Sequence, residues 1–202
     1  MELTGVQTID LPREQVWKAL NDPDVLRQCI PGCDTFDPVG ENEYQIAMTA
    51  SVGPVKARFK GKLLLSDITP PTSYALSFEG SGGAAGFGKG NANVELADTA
   101  SGGTELRYSV QAKVGGKLAQ VGARLIDGVA KKMADEFFSR FKAVISADQA
   151  QSPASGTDAP STTASAPAHS APVSGQASSG GMRWVWVAGA AIVAAVIIAS
   201  VA

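Results

Sequence analysis

Apolar and polar positions alternate in five successive segments between residues 44 and 112. A period of two places one set of side chains on one face of a β-strand, so each segment is predicted to be a half-buried strand. Turn residues separate the segments, among them Gly53-Pro54 and Pro70-Pro71. The pattern predicts an antiparallel meander with one buried face.

The flanking patterns complete the order of elements. Residues 2–9 are predicted to form a first strand, and two short helices are predicted to start near Pro12 and Pro23, the second ending before Pro31-Gly32. A long helix is predicted over 117–146, because apolar residues recur there at three- and four-residue spacing: Leu118, Val121, Leu125, Val129, Met133, Phe137, Phe141 and Ile145. The simplest packing is an α+β fold in which the sheet curls around this C-terminal helix.

The C-terminal quarter of the chain has a different composition. Residues 148–182 are mostly Ser, Ala, Pro, Thr and Gly, so we expect a disordered linker after a folded domain of residues 1–147. Residues 184–202 carry no charge and would span about 28 Å as a helix, close to the thickness of a bilayer core. With Arg183 before them and no apolar run at the N-terminus, residues 183–202 are predicted to be a single transmembrane anchor that leaves the domain on the cytoplasmic side.

Composition argues against several kinds of chemistry. The net charge of −2 gives no basic excess for nucleic acid, and the single histidine, His169, lies in the predicted linker. Cys29 and Cys33 flank a turn without further ligands, so no metal site is predicted. Residues 82–90 resemble a phosphate loop, but no Ser or Thr follows Lys89 and a strand follows the loop. No catalytic set is predicted, and the chain is expected not to be an enzyme.

Several inward positions of the predicted strands are small, and small residues opposite a helix can leave an apolar cavity. They are Ala50, Ala57, Gly61, Gly80, Gly90, Ala92 and Ala112. The candidate lining of this cavity is Tyr44, Met48, Phe59, Tyr74, Phe78, Phe87, Tyr108, Leu118, Val121 and Leu125. The glycine-rich segment with Phe87 is expected to be a mobile loop at the mouth, or else an ordinary long hairpin turn.

A basic stripe follows one strand. Lys56, Arg58, Lys60 and Lys62 share one face of the predicted strand over 55–65. They are candidates for contact with anionic lipid headgroups or with an acidic partner protein. A solvated outer sheet face is the alternative interpretation.

Four stretches resemble the CoxG family of carbon monoxide dehydrogenase accessory proteins, which belongs to the START-like, helix-grip (SRPBCC) superfamily. They are residues 29–33 (CIPGC), 52–57 (VGPVKA), 115–127 (GGKLAQVGARLID) and 134–138 (ADEFF). The resemblance covers about residues 1–147 and implies a helix-grip fold. It also implies an accessory protein that brings a molybdenum-containing carbon monoxide dehydrogenase, or a related hydroxylase, to the bacterial cytoplasmic membrane.

The same resemblance, joined to the expected cavity, leads to the hypothesis that the domain binds a quinone, either menaquinone or ubiquinone, that receives the electrons of the enzyme. Aromatic faces can stack on a quinone ring, and a tyrosine hydroxyl can donate to its carbonyl oxygen. Two alternatives remain at this point: a lipid or isoprenoid transfer protein without an enzyme partner, and an enzyme similar to polyketide cyclases.

Overall fold

The structure is a computed structural model that describes the backbone of residues 1–151 and the side chains of residues 1–147. Seven strands are present in this part of the chain: β1 (Glu2–Ile9), β2 (Cys33–Gly40), β3 (Glu43–Val52), β4 (Val55–Thr69), β5 (Ser73–Ser81), β6 (Phe87–Asp98) and β7 (Thr104–Gly115). The helices are α1 (Arg13–Leu20), α2 (Pro23–Cys29), α3 (Lys117–Gln120) and α4 (Ala123–Gln151). All strands pair antiparallel in one sheet of order β1-β7-β6-β5-β4-β3-β2.

The predicted α+β fold is confirmed. The alternating residues of β3 to β7 place their apolar side chains on the inner face of the sheet, where α4 packs. Phe137 and Phe141 of α4 are fully buried, as the apolar stripe predicted. Complete burial of a side chain of this size contributes about 1.5–3 kcal/mol, so this helix face is a main source of stability.

The start of α2 follows from its sequence. Asp22 caps the helix, because its Oδ1 accepts hydrogen bonds from the backbone N–H of Asp24 (2.9 Å) and of Val25 (3.3 Å). Pro23 occupies the first helical position, where the missing N–H has no cost. α2 then buries Val25, Leu26 and Cys29, and it packs against α4.

Strand β2 was not predicted. It is an edge strand with register shifts on both sides of its central pairs, and it contains Pro38. Only Phe36 is fully buried in it, so the sequence shows no period of two. The sheet therefore has one strand more than the alternation indicated.

The predicted long helix is divided in two. Gly122 has a φ of +93° and separates α3 from α4. The interruption shifts the buried face of α4, so that Ile126 is buried while Leu125 of the predicted stripe is 42% exposed. α4 also continues to Gln151, beyond the predicted domain boundary at 147.

The glycine-rich segment is compact. Residues Gly83–Ala85 form one 3-10 turn, and Ala85 is buried. Glycine is required at Gly86, where a Cβ atom would lie 2.1 Å from the carbonyl oxygen of Gly115. Of the two alternatives for this segment, the structure shows the hairpin connection, which joins β5 to β6 and packs against the end of β7.

Within residues 1–151 no helix combines the length and the apolarity needed to cross a bilayer. The predicted anchor at 183–202 lies outside the described residues. The predicted linker at 148–182 also lies outside them, apart from the backbone up to Gln151.

Candidate ligand cleft and outer sheet face

Most of the predicted lining residues lie in the core between the sheet and α4. Seven are buried and Val121 is half-buried; the seven are Tyr44, Met48, Phe59, Tyr74, Phe78, Tyr108 and Leu118. Their rings pack on one another and on neighbours. Tyr108 stacks on Phe138 at a centroid distance of 5.4 Å, and Tyr44 stacks on Phe36 at 5.1 Å. All seven belong to one buried hydrophobic cluster, and Val121 packs against it.

Two of the predicted lining residues lie elsewhere. Phe87 is 52% exposed on the outer face of the sheet, because it shares its strand parity with Lys89 and not with the buried Ala92. Leu125 lies over the β3–β4 turn, where its Cδ2 would be 3.0 Å from a Cβ on Gly53. The alternation of β6 could have been read from the sequence. The change of helix direction at Gly122, which moves Leu125 away from the core, could not.

Gly61 and Gly90, which were expected to border a cavity, have no free space beside them. A Cβ on Gly90 would lie 2.1 Å from the carbonyl oxygen of Gln111 and 2.7 Å from Cζ of Phe78. A Cβ on Gly61 would lie 2.8 Å from the carbonyl oxygen of Glu79. The expectation that small residues at these two positions leave a cavity was wrong, since both mark sites where a neighbouring chain or ring approaches closely.

A cleft of about 410 Å³ opens between β7 and the start of α4. This size lies within the range of small-molecule sites. Its walls are mostly small and apolar, with one cation and one carboxylate: Met1, Ala112, Lys113, Val114, Ala119, Ala123, Ile126 and Asp127. None of these residues belongs to the predicted lining. The residues were missed because they come from α3, α4 and β7, whose mutual position no local pattern fixes.

A larger trough of about 1000 Å³ crosses the outer face of the sheet. Rows of side chains run across the strands of this trough. One row is charged, and the next is mostly neutral and polar and contains Leu64, which is 48% exposed. Lys62, Glu79, Lys89 and Lys113 stand directly opposite one another on β4, β5, β6 and β7.

The predicted basic stripe is exposed along β4. Arg58 forms an ion pair with Asp34 at 2.9 Å, and Lys62 forms one with Glu43 at 3.4 Å. Lys56 and Lys60 have no ion-pair partner within residues 1–147. Half of the stripe is therefore neutralised by the protein, and half is open to another anion.

Comparison with known proteins identifies the family. The family model that describes CoxG, a carbon monoxide dehydrogenase subunit, matches residues 5–146. The chain belongs to the CoxG family. Membership indicates an accessory role in the carbon monoxide dehydrogenase system. No curated protein matches the chain.

Solved structures similar to this CoxG-family domain confirm its START-like, helix-grip architecture. A conserved protein from Geobacillus kaustophilus is 32% identical, with 73% of this chain and 97% of that chain covered and a TM-score of 0.70. The protein Ms6760 from Mycobacterium smegmatis is 16% identical (73% and 92% covered, TM-score 0.56). SA2116, a Staphylococcus aureus protein of unknown function, is 15% identical (75% and 96% covered, TM-score 0.54). The latter two likenesses show the fold alone.

The titratable groups inside the CoxG-family domain are held in their neutral forms. Burial raises the pKa of Tyr74 well above its ordinary value, and the Tyr74 hydroxyl has no hydrogen-bond partner among the described residues. Burial raises the pKa of Tyr44 to about 12 and that of Cys29 to about 12. Burial, together with the Asp34 carboxylate, raises the pKa of Cys33 to about 11. Neutral phenols and thiols of this kind donate hydrogen bonds but are poor nucleophiles and poor metal ligands.

Proposed function

We propose that this CoxG-family protein recruits a molybdenum-containing carbon monoxide dehydrogenase, or a related hydroxylase, to the bacterial cytoplasmic membrane. Residues 183–202 anchor it there, and the domain holds a lipophilic quinone, menaquinone or ubiquinone, that accepts the electrons of the enzyme. Family membership supports the accessory role, and the uncharged C-terminal run supports the anchor.

The observation that carries the quinone site is the cleft between β7 and the start of α4. Its alanines, with Val114 and Ile126, offer an apolar surface to a ring or an isoprenoid chain. Lys113 also borders the cleft, although the parity of β7 directs its side chain to the outer face of the sheet, opposite Lys89. A mostly apolar wall is the usual composition of a small-molecule site.

The glycines beside the cleft give it a means of widening. Gly116 and Gly122 bound α3 on its two sides, with φ values of +81° and +93°. No atom would contact a Cβ on Gly122 within 4 Å, so the start of α4 has open space around it. A rotation at these two residues would let a bulkier ligand pass between α3 and β7.

Ala123→Phe tests the site, because the new ring would fill the cleft. We expect the variant to lose extractable quinone after exposure to membranes, while its melting temperature stays close to that of the parent. Ala143→Phe is the matched control, since it places the same ring on another exposed alanine of α4. The readouts are quinone in organic extracts, measured by mass spectrometry, and thermal melts.

Equal quinone in both variants, or none in the parent, would remove the quinone site from the proposed function. Quinone in the parent without capture of the dehydrogenase by the full chain would favour the transfer protein over the recruiting protein.

A further inference from the structure

The outer face of the sheet carries a cluster of cations around one exposed aromatic ring. We define the Phe87 patch as Phe87 with Lys60, Lys89 and Lys113, all exposed. Ser81 of β5 stands directly opposite Lys60 of β4 and also directly opposite Phe87 of β6. Lys89 and Lys113 stand opposite each other in the next row, so the patch spans four adjacent strands.

None of these three lysines forms an ion pair within the described side chains. Glu79 is the one carboxylate in these two rows, directly opposite both Lys62 and Lys89. Lys89 and Lys113 are like charges in direct opposition, an arrangement that destabilises a sheet. With Glu79 counted, the two rows keep a net positive charge, although Glu2 and Glu43 line the same trough and the whole chain has a net charge of −2.

Phe87 adds an apolar group at the centre of this charge. Its ring lies over Gly115, since a Cβ there would be 2.5 Å from ring carbons of Phe87. The ring is thus supported from below by backbone and is 52% exposed above. An aromatic ring among lysines is the composition of protein surfaces that enter the headgroup region of a bilayer.

We propose that the Phe87 patch binds anionic phospholipid headgroups, so that the folded domain makes a membrane contact of its own. Lysine supplies all the cations of the patch, and lysine is depleted in protein–protein interfaces, which favours a lipid surface over an acidic protein. Lysines near an anionic leaflet each strengthen binding about fivefold.

The patch adjoins the candidate quinone cleft, because Lys113 belongs to both. Headgroup binding at the patch would hold the cleft next to the lipid from which a quinone must come. The inference rests on the proposed membrane location but is independent of residues 183–202 and of the dehydrogenase.

The test uses residues 1–151. The Geobacillus structure, 97% of which is covered by the alignment, shows that a domain of this kind folds without a further segment. Sedimentation with vesicles of phosphatidylglycerol and phosphatidylcholine, and with vesicles of phosphatidylcholine alone, measures the partition coefficient at low and high salt. We expect binding to the anionic vesicles only, weakened by salt.

The double variant Lys60→Gln, Lys89→Gln should lower the partition coefficient about 25-fold. The control Lys18→Gln, Lys132→Gln removes two exposed lysines of α1 and α4 and should change it little. Phe87→Ser should weaken binding and leave the thermal melt unchanged.

Equal binding to both vesicle types, no binding to either, or an equal loss in the control variant would overturn the proposal. Capture of purified dehydrogenase that is lost in the patch variant, without vesicle binding, would make the patch a protein interface. Failure of anchoring through 183–202 leaves these vesicle measurements unaffected, so the two proposals fail separately.

Discussion

Phe141 is fully buried in α4, and its ring stacks on that of Phe137 with centroids 5.7 Å apart. We expect Phe141→Ala to lower the free energy of unfolding by about 3–5 kcal/mol, because it removes buried apolar area and leaves a cavity. Urea denaturation measures the change. Phe87→Ala removes the same group from an exposed position and should cost far less. Similar losses in the two variants would show that α4 does not hold the core.

The buried hydroxyl of Tyr74 has no hydrogen-bond partner among the described residues. The rings of Tyr74 and Trp17 are in an edge-to-face arrangement with centroids 5.8 Å apart. A buried polar group without a hydrogen bond costs about 1–3 kcal/mol, so Tyr74→Phe should leave stability unchanged or raise it by up to that amount. Tyr44→Phe is the control, because the Tyr44 residue is equally buried but its hydroxyl oxygen is not among the fully buried atoms without a partner. A clear loss of stability in Tyr74→Phe alone would show that the hydroxyl is bound in solution, by water or by a ligand.

The two thiols predict a pH dependence of stability. Their pKa values rise from 9.0 to about 12 at Cys29 and to about 11 at Cys33 on folding. Between about pH 9 and about pH 11 the unfolded chain therefore binds fewer protons than the folded one, and stability falls as pH rises. Urea midpoints on both sides of this window measure the slope. A Cys29→Ala, Cys33→Ala variant should show a shallower slope, and an equal slope would assign the effect to other groups.

For single residues, the sequence predicted burial well in the strands whose apolar and polar positions alternate strictly. Tyr44, Met48 and Phe59 point inward because they share parity with apolar neighbours in β3 and β4. Phe87 was expected at the mouth of the cavity, in a loop; it begins β6 instead and lies on the outer face of the sheet. Whether Gly90 leaves a space could not be predicted, because the answer depends on a carbonyl of β7 brought there by the tertiary fold.

At the scale of the elements, the connection between β5 and β6 (residues 82–86) crosses the end of β7. The backbones of Gly86 and Gly116 are in contact where the two segments meet. Gly116 has φ +81° and ψ −152°, and a Cβ there would lie 2.6 Å from Cα of Gly86. We expect Gly116→Ala to cost at least about 1–3 kcal/mol from backbone strain, with the collision added. Gly102→Ala is the control, since Gly102 has φ +82° and no atom within 4 Å of a Cβ. Thermal melts of the two variants separate strain from collision, and equal shifts would mean that the crossing contributes nothing.

Elements with a regular period were predicted from the sequence, and elements shaped by their neighbours were not. β1 and α2 were recognised from local pattern and capping residues. β2 lacks a period because its bulges and its edge position leave most side chains in solvent. The division between α3 and α4 was also missed, because a single glycine inside an apolar helical pattern does not by itself predict a break.

At the scale of the whole molecule, we expect the proposed anchor to be separable from the domain. Deleting residues 183–202 should move the protein to the soluble fraction with an unchanged melting temperature. A dehydrogenase held at the membrane by this protein should move with it. The fractions are compared after a high-salt wash, which screens the lysines of the Phe87 patch. A truncated protein that stays with the washed membranes would contradict the anchor.

The irregular edge strand β2 has a consequence for self-association. An open sheet edge offers unpaired donors and acceptors to any strand that meets it, and the risk grows with local concentration. Pro38 lacks an N–H, and the register shifts between Cys33 and Thr35 and between Pro38 and Gly40 bend the strand away from a straight template. This edge of the sheet would therefore resist pairing with the same edge of a second copy, even where many copies of the domain are held close together.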